Sequence, residues 1–326
     1  MTSSVSLEDR FVGSILGVAV GDALGKWYEG VLPENFAHLY ESPKAYVDNP
    51  PAEELRYTDD TQMTIAVAEA LLLQPVIEEE TLCRCFVENY QPWRGYGRGA
   101  RVVLDAMEDG GDYRYHTEKQ FPGGSYGNGA AMRAAPIGLF FHRDMDQVWE
   151  QARLSAWPTH VHPLGIEGAQ LIAAATAWCL RNDSFNRDAF FSELESRATL
   201  PEFQDLLRRA RQVEDPDGLP PLGNGIAAQE SVVTAIACFA LSPDDFSQTV
   251  GQAVLLGGDS DTIAAMAGGI SGAFLGPQVI PQHLLDKYED FEGLKGITYI
   301  ENLARRLWEA HRSCFSPPES TAENAV

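Results

Sequence analysis

The stretch Gly13-Ser14-Ile15-Leu16-Gly17-Val18-Ala19-Val20-Gly21-Asp22-Ala23-Leu24-Gly25 carries a glycine at every fourth position. Around those glycines Phe11, Val12, Ile15, Leu16, Ala19, Val20, Ala23 and Leu24 recur at helical spacing. Ser6 followed by Asp9 resembles a capping box at the start of the same helix. A glycine inside a helix costs roughly 1 kcal/mol relative to alanine, so a whole stripe of them needs a compensating reason. Close approach of another backbone is the natural one. A second stripe, Gly268, Gly272 and Gly276, marks the helical pattern over 262–275. Both segments fall short of the roughly 20 apolar residues a membrane span needs. The two helices are therefore predicted to lie against one another in a protein core.

Further helical patterns run through 61–73, 79–90, 101–107, 130–141, 145–157, 167–181, 189–197, 202–213, 226–240, 246–256 and 299–311. Period-2 alternation between hairpin dipeptides is hard to find, which predicts an all-α fold. The irregular stretches are 31–56, 109–129 and 214–225, rich in Gly, Pro, Asp or Asn, and none reads as an interdomain linker. The length of 326 residues would allow two or three domains. With no linker and no fixed-length repeat, one compact domain over 1–315 is expected, followed by a disordered tail, SPPESTAENAV, over 316–326.

Hydrophobic residues make up 44% of the chain and aromatics 10%, enough for a large core and too much for wholesale disorder. The net charge of -23 repels phosphate backbones and anionic lipid heads, so neither direct DNA binding nor membrane binding is expected. A small anionic ligand remains possible where metal ions or backbone N–H groups reverse the local sign. Five cysteines without a C-x-x-C pair suggest neither disulfides nor a zinc ribbon. Together with an N-terminus lacking a basic signal region, they fit a reducing, cytoplasmic compartment. The sequence does not indicate an oligomeric state.

Two segments combine carboxylates and hydroxyls just before a helix: Tyr57-Thr58-Asp59-Asp60-Thr61 and Gly258-Asp259-Ser260-Asp261-Thr262. Either alone is an ordinary capped helix start, its acids complementing the helix dipole. If the two starts face each other, their oxygens form a hard donor set suited to Mg²⁺, Mn²⁺ or Ca²⁺ rather than Zn²⁺. Glu29, just beyond the first glycine stripe, would bring the cluster to five negative charges, and two divalent ions would offset four of them. An EF-hand is excluded, because Ala264 and Ile270 stand where that loop needs glycine and glutamate. Gly95, Gly97 and Gly99 form one glycine-rich loop, and Gly123 to Gly129 another. Such loops present N–H groups to phosphate, although neither is a P-loop. Phe121 and Tyr126 add aromatic faces. His160 lacks companion metal ligands and is read as a hydrogen-bonding group, while Ser125 has no evident base to make it a nucleophile.

In this order the motifs resemble the ADP-ribosyl-acceptor glycohydrolase family, typified by dinitrogenase reductase-activating glycohydrolase. The matching stretches are GSILGVAVGDALGKWYEG (13–30), YTDDTQM (57–63), RGYGRG (94–99), GGSYGNGAAMRAAPIGL (123–139), THVHPLG (159–165), GNGIAAQESVVTAI (223–236) and GGDSDTIAAMAGGISGAFLG (257–276). The paired TDDT and GGDxDT motifs carry the specificity. The resemblance implies a single all-α domain with a binuclear Mg²⁺ centre, Mn²⁺ being an alternative, at one end of a cleft for ADP-ribose. It implies Thr58, Asp59, Asp60, Asp259, Asp261 and Thr262 as metal ligands. Glu29 would join them as the catalytic carboxylate. Gly95, Gly97 and Gly99 would form the phosphate loop, and Ser125, Gly127, Asn128 and His160 would line diphosphate and ribose. Phe121 and Tyr126 would hold adenine, with Ile226 in the same cleft.

GSYGNG and Trp27-Tyr28-Glu29 look closer to the branch acting on serine-linked ADP-ribose and poly(ADP-ribose) than to the arginine branch. The implied activity is hydrolysis at C1″ of ADP-ribose attached to a serine, a polymer or an acetyl group, with ADP-ribosylated proteins or polymer as partners. Cleavage of an arginine N-glycosidic bond and non-catalytic ADP-ribose binding are the rival readings. Two departures stand out. Ser260 occupies a position where threonine is frequent, and the segment before Ser125 is a residue shorter than in animal members, which bears on where Phe121 falls.

Overall fold

A computed structural model describes residues 5–291 and 293–315. The expected tail over 316–326 lies outside the described residues. Sixteen α-helices follow one another: α1 (Leu7–Gly25), α2 (Pro43–Asp48), α3 (Asp59–Leu73), α4 (Glu79–Asn89), α5 (Arg98–Glu108), α6 (Tyr113–Gln120), α7 (Ala135–Phe141) and α8 (Met145–Ala156), then α9 (Pro163–Arg181), α10 (Arg187–Arg197), α11 (Pro201–Arg211), α12 (Ala228–Leu241), α13 (Phe246–Leu255), α14 (Ser260–Leu275), α15 (Gln282–Lys287) and α16 (Ile297–Phe315). Among the described residues the only β pairing is two isolated bridges, Leu55 with Tyr288 and Gly127 with Ala227. The expected all-α fold is what forms.

The glycine stripes meet as expected. A Cβ on Gly17 would stand 2.2 Å from the Gly268 carbonyl oxygen, one on Gly13 would stand 2.4 Å from that of Gly272, and one on Gly21 would stand 2.1 Å from that of Ala264. At the far end a Cβ on Gly25 would lie 2.4 Å from the Asp261 Cα. Helices α1 and α14 therefore run antiparallel in backbone contact along their whole length. Hydroxyls close the seam at both ends: Ser14 donates to the Gly269 carbonyl at 2.9 Å and Ser260 to the Gly25 carbonyl at 2.8 Å. The pair is buried throughout, from Arg10 to Gly25 and from Ser260 to Phe274. Helices α9, α12 and α13 pack on the α14 side, and α3, α7 and α16 on the α1 side.

Ser6 caps α1 by accepting the Asp9 N–H at 3.0 Å, as the local pattern implies. Two short helices, α2 and α6, fall inside stretches read as irregular, and a third, α15, in the stretch between 275 and 299 where no helix was read. Each has only six to eight residues, too few for periodicity to register, and α2 rests on Ser42 as N-cap with Pro43 in its first turn. Helix α7 starts at Ala135 rather than near 130, because Pro136 sits in its first turn and residues 131–134 form turns instead.

At the far side of α1, His142 and His311 face each other with ring centroids 4.6 Å apart. Their Nδ1–H groups donate to the Leu139 and Phe140 carbonyls at 2.8 and 2.7 Å, satisfying the last turn of α7. Burial pushes the His142 imidazole down to about 4, with His311, Arg143 and Arg181 adding repulsion.

Two outcomes are expected. Gly17→Ala should force α1 from α14 and lower unfolding free energy in denaturant titration by about 3 kcal/mol, the upper end for overpacking. Gly97→Ala, whose Cβ would meet nothing within 4 Å, should leave it unchanged. For His142 the folded value of about 4 lies below the unfolded value near 6.5, so the neutral ring stabilises the fold fully above about 6.5. That contribution, about 3 kcal/mol, should be lost as pH falls from about 6.5 to about 4, and a His142→Gln variant should lack that part of the slope.

Candidate active site

Because α1 and α14 are antiparallel, the end of one and the start of the other share a single corner. Glu29 leaves α1 through the turn Lys26–Tyr28, and its successor Gly30 donates to the Gly258 carbonyl at 2.7 Å. Gly257 and Gly258 adopt φ of +64° and +67°, and a Cβ on Gly258 would stand 2.2 Å from the Asn224 carbonyl oxygen. Only glycine meets both demands at that turn. Carboxylate oxygens of Glu29, Asp259 and Asp261 consequently lie within 4.8 Å of one another. The start of α3 completes the cluster, with Thr262 Oγ1 donating to Asp60 Oδ2 at 3.4 Å. The two acidic helix starts do face each other.

One carboxylate holds α3 in place. Asp22, fully buried, accepts from Thr58 N at 3.0 and 2.9 Å, Thr58 Oγ1 at 2.8 Å, Thr61 N at 3.0 Å and Thr61 Oγ1 at 2.5 Å. It ties the glycine-striped helix to the TDDT motif, whose Asp60 meets α14 at Thr262. Sequence reading did not single out Asp22. A lone acid in the buried face of a helix is the signal that would have found it.

The electrostatics are severe. Burial, with Asp22, Glu29 and Asp259 nearby, pushes the Asp59 carboxyl up to about 7. Burial and the Asp261 charge hold Asp60 well above the ordinary carboxylate range, and burial with Asp259 does the same to Asp261. Glu29 and Asp259 are raised for the same first reason. Asp60 Oδ1 is buried without a hydrogen-bond partner. A buried carboxylate oxygen that no protein donor reaches, amid like charges, is the environment that a divalent cation relieves.

These acids form one end of a cleft of about 360 Å³, a size suited to a small ligand. Thr58 sits beneath the lining, 1% exposed. The wall beside the acids is the first glycine loop. Gly95 takes φ +102° with its Cα against Asp59, and Gly97 precedes the first turn of α5, so free N–H groups of a helix start face the cleft. Gly99 carries the Phe121 ring directly over it, a Cβ there standing 2.2 Å from Phe121 Cζ.

The opposite wall is the second loop. Ser125 Oγ accepts from Gly127 N at 3.2 Å, and Asn128 Nδ2 donates to Asp259 and to Ser231 Oγ, the latter at 3.0 Å. Asn128 N bonds the Ile226 carbonyl at 3.0 Å, which brings Ile226 to the rim, 70% exposed. His160 lines the floor between Gly127 and Gly129. Tyr126 does not line the cleft: its ring is 56% exposed and sits 6.0 Å from that of His162. Arg133 and Thr159, which sequence reading did not single out, do line it.

The ADP-ribosylglycohydrolase model matches residues 3–316. The chain belongs to the ADP-ribosylglycohydrolase family. As a member it is a glycohydrolase enzyme. It is similar to the ADP-ribosylhydrolase ARH3 of Danio rerio, 33% identical over 95% of this chain and 93% of the relative, and to that of Homo sapiens, 33% identical over 87% and 90%. An uncharacterized protein of Archaeoglobus fulgidus is 32% identical over 94% of this chain and 98% of its own. A solved structure described as an ADP-ribosylglycohydrolase-related protein complex superposes with a TM-score of 0.72 at 26% identity, covering 94% of this chain and 99% of the other. No helix among the described residues of this glycohydrolase is long and apolar enough to cross a membrane.

In the metal-free glycohydrolase, Asp60→Asn removes one desolvated, repelled carboxyl from the corner. It should raise the melting temperature measured in EDTA by about 1 to 2 °C for each kcal/mol of repulsion relieved. An unchanged or lower value would contradict the electrostatic account of the corner.

Proposed function

We propose that this glycohydrolase is Mg²⁺-dependent, with Mn²⁺ able to substitute, and that it cleaves O-linked ADP-ribose at C1″, releasing ADP-ribose. The observation that carries the reading is the convergence of Glu29, Asp59, Asp60, Asp259 and Asp261 at one end of a cleft whose neighbouring wall is a helix start. A binding protein has no need of five mutually repelling acids. Thr58, Asp59, Asp60, Asp259, Asp261, Thr262 and Glu29 would hold two divalent ions. Bound there, the ions would offset the acids and make a water molecule more acidic.

The protein's own groups account for the rest. N–H groups around Gly95, Gly97 and Gly99 would receive the diphosphate, whose charge suits the start of α5. Ser125, Gly127, Asn128 and His160 would hold diphosphate and ribose from the opposite wall. Phe121, seated on Gly99, would offer its face to adenine, with Ile226 at the rim; Tyr126, outside the cleft, is not part of this proposal. Glu29 stands on an exposed turn with its carboxyl only partly buried, unlike the aspartates beside it, so it can reach both an acceptor oxygen and a water molecule. In hydrolysis the C1″–oxygen bond breaks, a water oxygen bonds to C1″, and the water's proton passes to the departing acceptor oxygen. Glu29 would carry that proton. The ARH3 relatives are named as ADP-ribosylhydrolases, which supports the substrate class.

Matched serine-linked and arginine-linked ADP-ribosyl peptides, each incubated with Mg²⁺ and with EDTA, separate the possibilities. Mg²⁺-dependent release of ADP-ribose from the serine peptide is expected. Glu29→Gln should reduce that rate by about 10²-fold or more, with ADP-ribose affinity little changed. Release from the arginine peptide alone would sink the O-linked assignment, and release undiminished by EDTA would sink the metal assignment.

A further inference from the structure

Arg133 is 1% exposed, and among the described residues no carboxylate pairs with it. Its guanidinium lies over the Phe86 ring at 4.6 Å. Nη1 donates to the Gly129 carbonyl at 3.1 Å, and Nη2 to the Ser155 carbonyl at 3.0 Å and to Thr159 Oγ1 at 2.8 Å. Thr159 Oγ1 in turn lies 2.8 Å from His160 Nδ1. Three polar groups from two segments, the turn before α7 and the loop between α8 and α9, thus form one short chain that ends in the floor of the cleft.

The direction of the protons along that chain follows from valence. Arginine only donates, so Thr159 Oγ1 must accept from Arg133. The hydroxyl hydrogen then has one remaining neighbour within reach, His160 Nδ1. If Nδ1 were protonated, it would meet the threonine oxygen and leave the hydroxyl hydrogen without an acceptor in a buried site, which is costly. With Nδ1 bare, the hydroxyl hydrogen and the ring nitrogen satisfy each other, and the one buried donor of the chain left without a partner is Arg133 Nε. The ring proton therefore belongs on Nε2, which makes no hydrogen bond among the described residues and stands where Gly127 and Gly129 leave room. A Cβ on Gly129 would lie 3.3 Å from it and one on Gly127 3.8 Å. We propose that Arg133 and Thr159 are positioning residues that fix His160 as a neutral Nε2–H donor aimed into the cleft. Burial and then the Arg133 charge also hold the ring far below its ordinary pKa, at about 3, so it stays neutral where free histidine titrates.

The consequence is a fixed sign of contact. An Nε2–H attracts an oxygen of the bound ligand, whereas the other tautomer would present a lone pair and repel it. This last step rests on the reading that ADP-ribose occupies the cleft; the tautomer itself does not. Two-bond ¹H–¹⁵N spectra of the full-length protein, with the His160 signals assigned through their loss in His160→Gln, read the tautomer directly. The wild type should show bare Nδ1 and protonated Nε2, unchanged from about pH 8 to about pH 5. Thr159→Val, of nearly equal shape, should give mixed tautomers and weaken ADP-ribose binding by calorimetry roughly tenfold, and Thr159→Ser should restore both. A wild-type spectrum with protonated Nδ1 overturns the proposal. So does a Thr159→Val protein that binds ADP-ribose as tightly as wild type. Should wild type bind no ADP-ribose, the proposed function fails, and the spectrum alone decides the tautomer.

Discussion

Everything in this enzyme depends on two helices touching backbone to backbone. With glycine at 13, 17, 21 and 25 facing 268 and 272, α1 and α14 approach until a Cβ on either would strike a carbonyl oxygen. That contact is antiparallel, so the exit of α1 and the entry of α14 coincide. Glu29 and the Asp259–Asp261 pair meet for this reason, with the Gly257–Gly258 turn completing the approach. The cost of seven helical or helix-terminal glycines is offset by dispersion between close-packed backbones and by the Ser14 and Ser260 hydroxyls that close the seam. Ser260 performs that closing role with its hydroxyl alone.

The corner made this way is electrostatically unfavourable by itself. Asp22, Asp59, Asp60, Asp259 and Asp261 are each pushed above the ordinary carboxylate range, first by burial and then, for most, by one another. Helix starts at α3 and α14 and the hydroxyls of Thr58, Thr61 and Thr262 moderate the repulsion without removing it. The protein keeps this strain at the end of its cleft and places neutral or cationic groups, Asn128, His160 and Arg133, along the rest. A ligand entering the cleft passes from a donor-rich wall to an acid-rich end. Under the proposed function, that gradient would orient a molecule with a diphosphate at one end and a bond to be cleaved at the other.

The fold was largely legible because its signals are local. Long helices such as α1, α9 and α14 announce themselves through periodicity, and the start of α1 through Ser6, whereas α9 begins at Pro163, four residues before the start read from its pattern. The glycine stripes went further and forecast a tertiary contact, since backbone proximity is the one condition that rewards them. Short helices α2, α6 and α15 escaped notice because six to eight residues span barely two turns. The start of α7 was displaced by a proline whose effect reaches back only one turn.

The site divides along the same line. Residue types and their spacing were enough to mark Glu29, the two acidic helix starts and the two glycine loops, because hard oxygen donors and free N–H groups are recognisable one residue at a time. Which of them share a surface was decided by folding. Asp22 became the clamp of α3, Arg133 and Thr159 the supports of His160, and Tyr126 was left on the outer face beside His162 while Phe121 settled on Gly99. Sequence determines what each side chain can donate, accept or repel. Only the tertiary structure sets the distances, and charge interaction and hydrogen bonding depend on distance and direction before anything else.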